Sequence, residues 1–169
     1  MDTVQPLIRA LTDADAGTAI RAAAAGSLGE LGDTRAVEPL IRSVIDTGAD
    51  SDIGDAIRTA AVTSLGQLRD ARAVEPLIRL LTDADADFQI RAAVGHSLGQ
   101  LRDVRAVEPL IRLLTDADEG DALRVAAASS LGKLGDRRAV QPLSELLADA
   151  NICDRIRTAA THSLMELEK

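Results

Sequence analysis

Five prolines at nearly constant spacing constrain this chain more than any other feature. They are its only prolines, each lies in a Val-Gln-Pro-Leu or Val-Glu-Pro-Leu sequence, and the intervals between them are 33, 37, 33 and 33 residues. They are Pro6, Pro39, Pro76, Pro109 and Pro142. Such a period is typical of stacked units whose apolar faces are buried only by their neighbours. We therefore expect one domain, residues 1–169, containing five repeats: 3–34, 35–71, 72–104, 105–137 and 138–169.

Each repeat carries two apolar patterns of helical period, joined by a short acidic connection. In the fourth repeat the first pattern runs from Val107 to Leu114 at i, i+3, i+4 and i+7, which is one face of a helix. Pro109 falls in its first turn, where the missing N–H costs nothing. The second pattern runs from Leu123 to Leu134. Because the connections are short, successive helices run antiparallel, and the predicted fold is all-α, a stack of five helix-turn-helix units.

Small residues recur at fixed places in the predicted second helices. Four of these helices contain a glycine, and the glycines are Gly29, Gly66, Gly99 and Gly132. Glycine inside a helix costs about 1 kcal/mol relative to alanine, so we expect the backbone of a neighbouring repeat to approach closely there. A serine recurs two residues before these positions in all five repeats, at Ser27, Ser64, Ser97, Ser130 and Ser163. We expect its hydroxyl to bond back to its own helix.

Two charged positions are the same in all five repeats. An aspartate ends each first helix, and these residues are Asp13, Asp46, Asp83, Asp116 and Asp149. An arginine opens each second helix, and these are Arg21, Arg58, Arg91, Arg124 and Arg157. Each charge alone stands at the unfavourable end of its own helix dipole. We therefore expect aspartate and arginine to pair within or between repeats, a structural role that locks the turns.

Composition excludes several classes of function. The formal net charge of −8 at pH 7 argues against nucleic acid, which requires a basic surface. Phe88 is the only aromatic residue, so stacking on single strands is also disfavoured. The sequence has no signal-peptide pattern and no apolar run of about 18 residues, so we expect no membrane association. Cys153 is the single cysteine, and a cytoplasmic location is the simplest expectation.

The repeats resemble the short HEAT-like repeats of the phycobilin-lyase type. The resemblance rests on Asp-x-Arg-Ala-Val-Glu-Pro-Leu-Ile, present at Asp70–Ile78 and Asp103–Ile111, and on Leu-Gly-x-Leu in the second helices. It implies a right-handed α-solenoid with the first helices on the convex side and the second helices lining a concave groove. Members of this family most often bind other proteins. A related HEAT-type hydroxylase family binds iron through His-Glu pairs, and no His-Glu occurs in this chain.

No catalytic, cofactor or metal site is predicted. His96 and His162 lie two repeats apart, which at roughly 10 Å per helix layer is too far to share a metal. Asp83-Ala-Asp85-Ala-Asp87 resembles the start of a calcium loop but lacks its glycine and its final glutamate. We interpret these carboxylates as solvated turns.

A partner-binding surface is predicted where the repeats differ most. These positions lie one, five and nine residues after the conserved arginine, on the helix arc opposite the core. In the middle three repeats they are Thr59, Thr63, Gln67, Ala92, His96, Gln100, Val125, Ser129 and Lys133. Small, mostly uncharged side chains favour a helix or an extended peptide in the groove. The main functional hypothesis is therefore a non-enzymatic scaffold that binds a protein or peptide.

Other hypotheses stay open. The hypothesis of a phycobilin lyase or isomerase subunit is based on the resemblance alone. Nothing in the sequence looks like a tetrapyrrole pocket, because aromatic residues other than Phe88 are missing and most arginines are part of the repeat pattern. A self-assembling structural module is suggested by the N-terminal repeat, where apolar residues such as Leu7 and Leu11 occur close to the first residue without a polar cap. That edge could equally dock on another molecule, or the chain could be part of a longer or engineered protein.

Overall fold

The computed structural model describes residues 2–45 and 51–169, with the backbone alone at 51–53. Asp46, one of the predicted structural aspartates, lies outside these residues. The described residues form ten α-helices: α1 Val4–Thr12, α2 Thr18–Leu31, α3 Val37–Ile45, α4 Ser51–Leu68, α5 Val74–Leu81, α6 Phe88–Leu101, α7 Val107–Thr115, α8 Asp121–Leu134, α9 Val140–Ala148 and α10 Asp154–Leu167. Each odd-numbered helix packs on the even-numbered helix that follows it, and successive even-numbered helices pack on each other. The predicted all-α solenoid of helix-turn-helix units is confirmed.

The first helix of each pair is amphipathic, as α7 illustrates. Its residues Val107, Leu110 and Leu114 are fully buried, while Glu108 and Arg112 are exposed. Helices of eight or nine residues are marginal on their own. Burial of this apolar stripe against the neighbouring helices therefore provides most of their stability.

A short 3₁₀ turn precedes four of the first helices and is capped in the same way each time. Before α7 the Asp103 carboxylate accepts a hydrogen bond from the Arg105 backbone N–H at 3.0 Å and from its guanidinium at 2.8 and 2.9 Å. The same guanidinium reaches back to the preceding repeat, where it bonds to the Ala71 carbonyl at 3.2 Å and to Glu75 at 3.4 Å. Asp103 therefore caps the 3₁₀ turn that leads into the first helix, and Arg105 also links neighbouring repeats.

These caps change the acidity of the aspartates. The hydrogen bond from Arg138 lowers the pKa of Asp136 from 3.8 to about 2, with a further contribution from the Arg138 backbone N–H. The pKa values of Asp33, Asp70 and Asp103 are also lowered, in each case chiefly by the arginine two residues later. The turns therefore keep their ion pairs well into the acidic range.

Neighbouring second helices meet at glycine and serine, as the contact of α6 with α8 shows. A Cβ added at Gly99 would lie 2.9 Å from the Ser130 Cα, so only glycine permits this approach. The prediction of close backbone approach is confirmed. The Ser130 hydroxyl, however, donates to the Gly95 carbonyl on the preceding second helix at 2.8 Å.

The same interhelical bond forms at every described repeat boundary, so the expected bond from each serine to its own helix is wrong. Ser64, Ser97 and Ser163 donate to the carbonyls of Ala25, Val62 and Ala128 at 2.8, 3.0 and 2.8 Å. The acceptor carbonyl lies four residues before the glycine of its helix. Because glycine has no side chain, the neighbouring serine can reach this carbonyl directly. We call the resulting contact the Gly–Ser seam.

The conserved arginines bind helix ends. Arg21 Nε donates to the Leu11 carbonyl at 3.0 Å, and Arg124 Nε donates to the Leu114 carbonyl at 3.1 Å. The equivalent arginines Arg58, Arg91 and Arg157 reach the equivalent carbonyls of Val44, Leu81 and Leu147. Arg157 also donates to the Asp149 backbone carbonyl at 3.1 Å. A cation at the carboxyl end of a helix complements both its free carbonyls and its dipole.

The conserved aspartates stabilise their own turns. Asp13, Asp83, Asp116 and Asp149 each accept a hydrogen bond from the backbone N–H two residues later, at 2.8 to 3.0 Å. Among the described residues none of them forms an ion pair with a conserved arginine, so the expected pairing does not occur there. The conserved arginines and the described conserved aspartates nevertheless all bond to backbone groups where the two helices of a pair are joined.

Candidate functional site

The outward faces of the five even-numbered helices form one continuous surface, which we call the second-helix surface. Its side chains come from the positions one, five and nine residues after each conserved arginine. Thr59, Thr63 and Gln67 are exposed on α4, and Val125 and Ser129 are half-buried on α8. The structure thus places the predicted partner-binding residues on one surface, where five of the nine line two separate clefts.

The first cleft lies between α2 and α4 and has a volume of about 510 Å³. Thr59, Thr63 and Gln67 form its α4 wall, with Glu30 and Asp55 supplying carboxylates. The Thr63 hydroxyl donates to the Thr59 carbonyl at 2.9 Å, which leaves its oxygen free to accept a hydrogen bond. Two carboxylates give this cleft an anionic character, and it suits a ligand that brings hydrogen-bond donors or positive charge.

The second cleft lies between α8 and α10 and also has a volume of about 510 Å³. Its lining residues are Val125, Ser129, Asp154, Arg155, Thr158, Ala159 and His162. Val125 and Ala159 supply an apolar wall, Arg155 and Asp154 supply a cation and a carboxylate, and His162 supplies an imidazole ring. Apolar walls with a few polar groups are typical of sites for small molecules.

Helix α6 separates the two clefts. Its predicted site residues Ala92 and Gln100 are half-buried and His96 is exposed, with the His96 Nδ1 atom 2.8 Å from the Ala92 carbonyl. Lys133, the last predicted site residue, is exposed near the end of α8. None of these four residues lines either cleft. They form the ridge between the clefts and its continuation along α8.

Residues at the first turns of the second helices also line the clefts, and sequence periodicity did not predict them. Asp55 and Asp154 line the clefts three residues before a conserved arginine, and Arg155 does so two residues before one. A signal was present for Arg155, because the equivalent residues of the other repeats are alanine or glutamine. Phe88, at the start of α6, is 55% exposed, so the chain's single aromatic side chain lies at the surface.

Neither a metal cluster nor a membrane span occurs in the part of the chain that the structure describes. Among the side chains described, those of residues 2–45 and 54–169, no three from His, Cys, Asp or Glu are close enough to hold a metal ion together. No helix among these residues is long and apolar enough to cross a bilayer.

Comparison with known families identifies the repeats. A sequence profile described as HEAT repeats matches residues 48–122 and 83–165. The chain belongs to the HEAT-repeat family. A second profile, described as the PBS lyase HEAT-like repeat, matches residues 20–46 of this HEAT-repeat protein. The predicted resemblance to HEAT-like repeats is therefore confirmed. No curated protein sequence matches the chain.

Two examples stand among the solved structures that resemble this HEAT-repeat chain. One is the complex of CpcE and CpcF of phycocyanin lyase from Nostoc sp. PCC7120, with 27% identity and a TM-score of 0.80 over 99% of this chain. This chain spans 65% of that matched chain, just under two thirds of its length. The other is human deoxyhypusine hydroxylase in complex with glycerol, with 19% identity, a TM-score of 0.59 and coverage of 98% of this chain and 73% of that one. The second likeness concerns the fold alone.

Proposed function

We propose that this HEAT-repeat chain is a phycobilin-lyase-like subunit that holds a bilin in its second cleft. The observation that carries the proposal is the likeness to the phycocyanin lyase complex, at 27% identity over 99% of this chain. The match of residues 20–46 to the PBS lyase HEAT-like repeat supports it. These matches favour a role in chromophore attachment over the expected purely non-enzymatic role.

The chemistry of the second cleft favours a bilin there. A bilin is an open-chain tetrapyrrole with an apolar ring system and two propionate carboxylates. Val125 and Ala159 offer apolar contact, and Arg155 offers a guanidinium suited to a carboxylate. The first cleft carries the carboxylates of Glu30 and Asp55 with no cation in its lining and would repel the propionates, whereas in the second cleft Arg155 offsets the carboxylate of Asp154.

Replacement of Arg155 by glutamine is expected to weaken bilin binding about tenfold, because the lost charge-assisted hydrogen bond is worth about 1.5 kcal/mol. The measurement is a titration with phycocyanobilin, followed by its visible absorption. Arg137→Gln is the matched control, since it removes the same charge from an exposed turn outside both clefts. The second cleft is rejected as the bilin site if the wild type binds phycocyanobilin without saturation. It is also rejected if Arg155→Gln and Arg137→Gln weaken bilin binding equally.

Protein binding by the same surface is the second candidate function. It is favoured by the first cleft, whose wall consists of positions that differ among the repeats: Thr59, Thr63 and Gln67. A protein segment with basic or amide side chains would meet the carboxylates, hydroxyls and amides of this cleft. The ridge residue His96 lies beside it on the next second helix.

His96→Glu is expected to reduce partner capture at least tenfold, about 1.4 kcal/mol, without changing helicity or the melting temperature, because the side chain is exposed. The measurement is a tagged pull-down from a lysate of the source cells, quantified by mass spectrometry. Gln5→Glu is the matched control, since it adds a negative charge at the exposed first-helix position where three repeats already carry glutamate with an arginine four residues later, as Arg9 is here. A captured protein that both variants retain would show that the second-helix surface is not its binding site.

A further inference from the structure

The α10 wall of the second cleft carries two nitrogen-bearing side chains, and the proposed function uses only one of them. Arg155 and His162 both line the cleft, and both are exposed. They stand seven residues apart within α10, so they share one face of the helix. At 1.5 Å per residue their backbones are separated by about 10 Å. The cleft therefore presents two hydrogen-bond donors at separate points along α10.

A bilin brings two carboxylates to this wall, which is more than Arg155 can neutralise alone. The two propionates are carried on neighbouring inner rings, each at the end of a flexible two-carbon arm. Asp154, in the same lining, already carries a negative charge that Arg155 offsets. The second propionate needs a further donor, because a carboxylate that leaves water without a partner loses free energy.

His162 is the side chain that can provide this donor. Among the residues that line the cleft, only Arg155 and His162 can carry positive charge. The Thr158 hydroxyl, which lies between them along α10, donates to the Asp154 carbonyl at 2.8 Å and so has no proton left for a carboxylate. Ser129, on the opposite wall, offers an uncharged hydroxyl. The imidazole of His162 has at least one ring N–H to donate in either protonation state.

We infer that His162 holds the second propionate, a role that rests on the proposed function. Arg155 and His162 then clamp the bilin by both of its carboxylates, with the inner rings along α10 against Ala159. Glu166, one turn beyond His162, does not line the cleft, and its carboxylate is bonded to Lys169 at 2.7 Å. The clamp selects chromophores that carry two free propionates.

The dimethyl ester of phycocyanobilin separates recognition of charge from every other contact, because it keeps the ring system and loses both negative charges. Replacement of His162 by leucine is expected to weaken binding of free phycocyanobilin about tenfold, the value of one hydrogen bond to a charged group. Binding of the ester is expected to be unchanged. Titrations followed by visible absorption measure both dissociation constants. Because His162 is exposed, circular dichroism should show an unchanged fold.

A double variant tests whether the two residues hold different carboxylates. Arg155→Gln combined with His162→Leu is expected to weaken binding of free phycocyanobilin about a hundredfold, the product of two independent losses. Arg137→Gln is again the control for a charge lost outside the cleft. A double variant that binds as well as the weaker single variant would mean that both residues hold the same carboxylate, and it would overturn the clamp.

Three other outcomes would contradict the clamp, and they differ in what they mean for the proposed function. If His162→Leu weakens binding of the free acid and of the ester equally, the imidazole only packs against the chromophore. If His162→Leu changes neither while Arg155→Gln weakens binding of the free acid, the bilin occupies the second cleft without the clamp, and the proposed function stands. If the wild type binds neither compound saturably, the proposed function fails together with the clamp.

Discussion

Replacement of Gly99 by alanine is expected to destabilise the chain by about 2 kcal/mol, although alanine favours a helix by about 1 kcal/mol over glycine. The added Cβ would lie 2.8 Å from the Ser130 Cβ and 2.9 Å from its Cα. These atoms cannot rotate away, so α6 and α8 must separate. Separation lengthens the bond from Ser130 to Gly95, which is 2.8 Å. Urea unfolding followed by circular dichroism measures the change.

Gly26→Ala is the matched control for this effect. Gly26 also lies within a second helix, but a Cβ added there would meet no atom within 4 Å. The substitution is therefore expected to stabilise the chain by about 0.5 to 1 kcal/mol through helix propensity and a less flexible unfolded state. If both substitutions stabilise the chain, the seam tolerates a methyl group, and the tight packing inferred for the glycines is wrong.

The regular spacing of residues was enough to predict the stack. Pro109 and the apolar positions around it define the first helix, and Gly99 indicates a close neighbour. The acceptor of Ser130 could not be predicted in the same way. Periodicity describes which residues share a helix face, but it does not give the distance between two helices. Once α6 and α8 are in contact, the Gly95 carbonyl becomes available as an acceptor.

The same limit explains the outcome at the conserved charges. Asp116 and Arg124 are close in sequence and opposite in charge, which favoured a pair. The Leu114 carbonyl, at the end of α7, has no hydrogen-bond donor within its own helix. No sequence pattern shows that this acceptor is available. Arg124 bonds to this carbonyl at 3.1 Å, and Asp116 bonds to the backbone of its own turn at 2.9 Å.

The candidate site was predictable as a row of residues but not as two clefts. Helical periodicity placed Thr63 and Ser129 on the outward faces, where they are found. The distance between successive repeats, together with side chains of the next helix such as Arg155, decides which of these residues line a cleft. His96, predicted as part of the groove, instead lies on the ridge between the clefts.

Replacement of Arg91 by methionine is expected to cost about 3 kcal/mol, because the variant leaves two partners without their cation. Arg91 Nε donates to the Leu81 carbonyl at 2.9 Å, and its two terminal nitrogens both bond to the Glu119 carboxylate of the next repeat. The Arg91 and Glu119 side chains are only 11% and 20% exposed, so water compensates poorly for the loss. Methionine keeps the apolar stem of arginine, which limits the change to the lost polar contacts.

Arg124→Met separates the two contributions. Arg124 makes the equivalent bond to the Leu114 carbonyl, but its position in the next connection is occupied by Ile152 and offers no carboxylate equivalent to Glu119. Its replacement is expected to cost about 1 to 2 kcal/mol, the value of one helix-end hydrogen bond to a charged group. The rest of the stability lost in Arg91→Met comes from the contact with Glu119. It should appear as a coupling energy of about 1 to 2 kcal/mol in a double-mutant cycle with Glu119→Gln. Equal costs at the two arginines, with no coupling to Glu119, would mean that the contact between the third and fourth repeats adds nothing to stability and that the arginine row acts only within each helix pair.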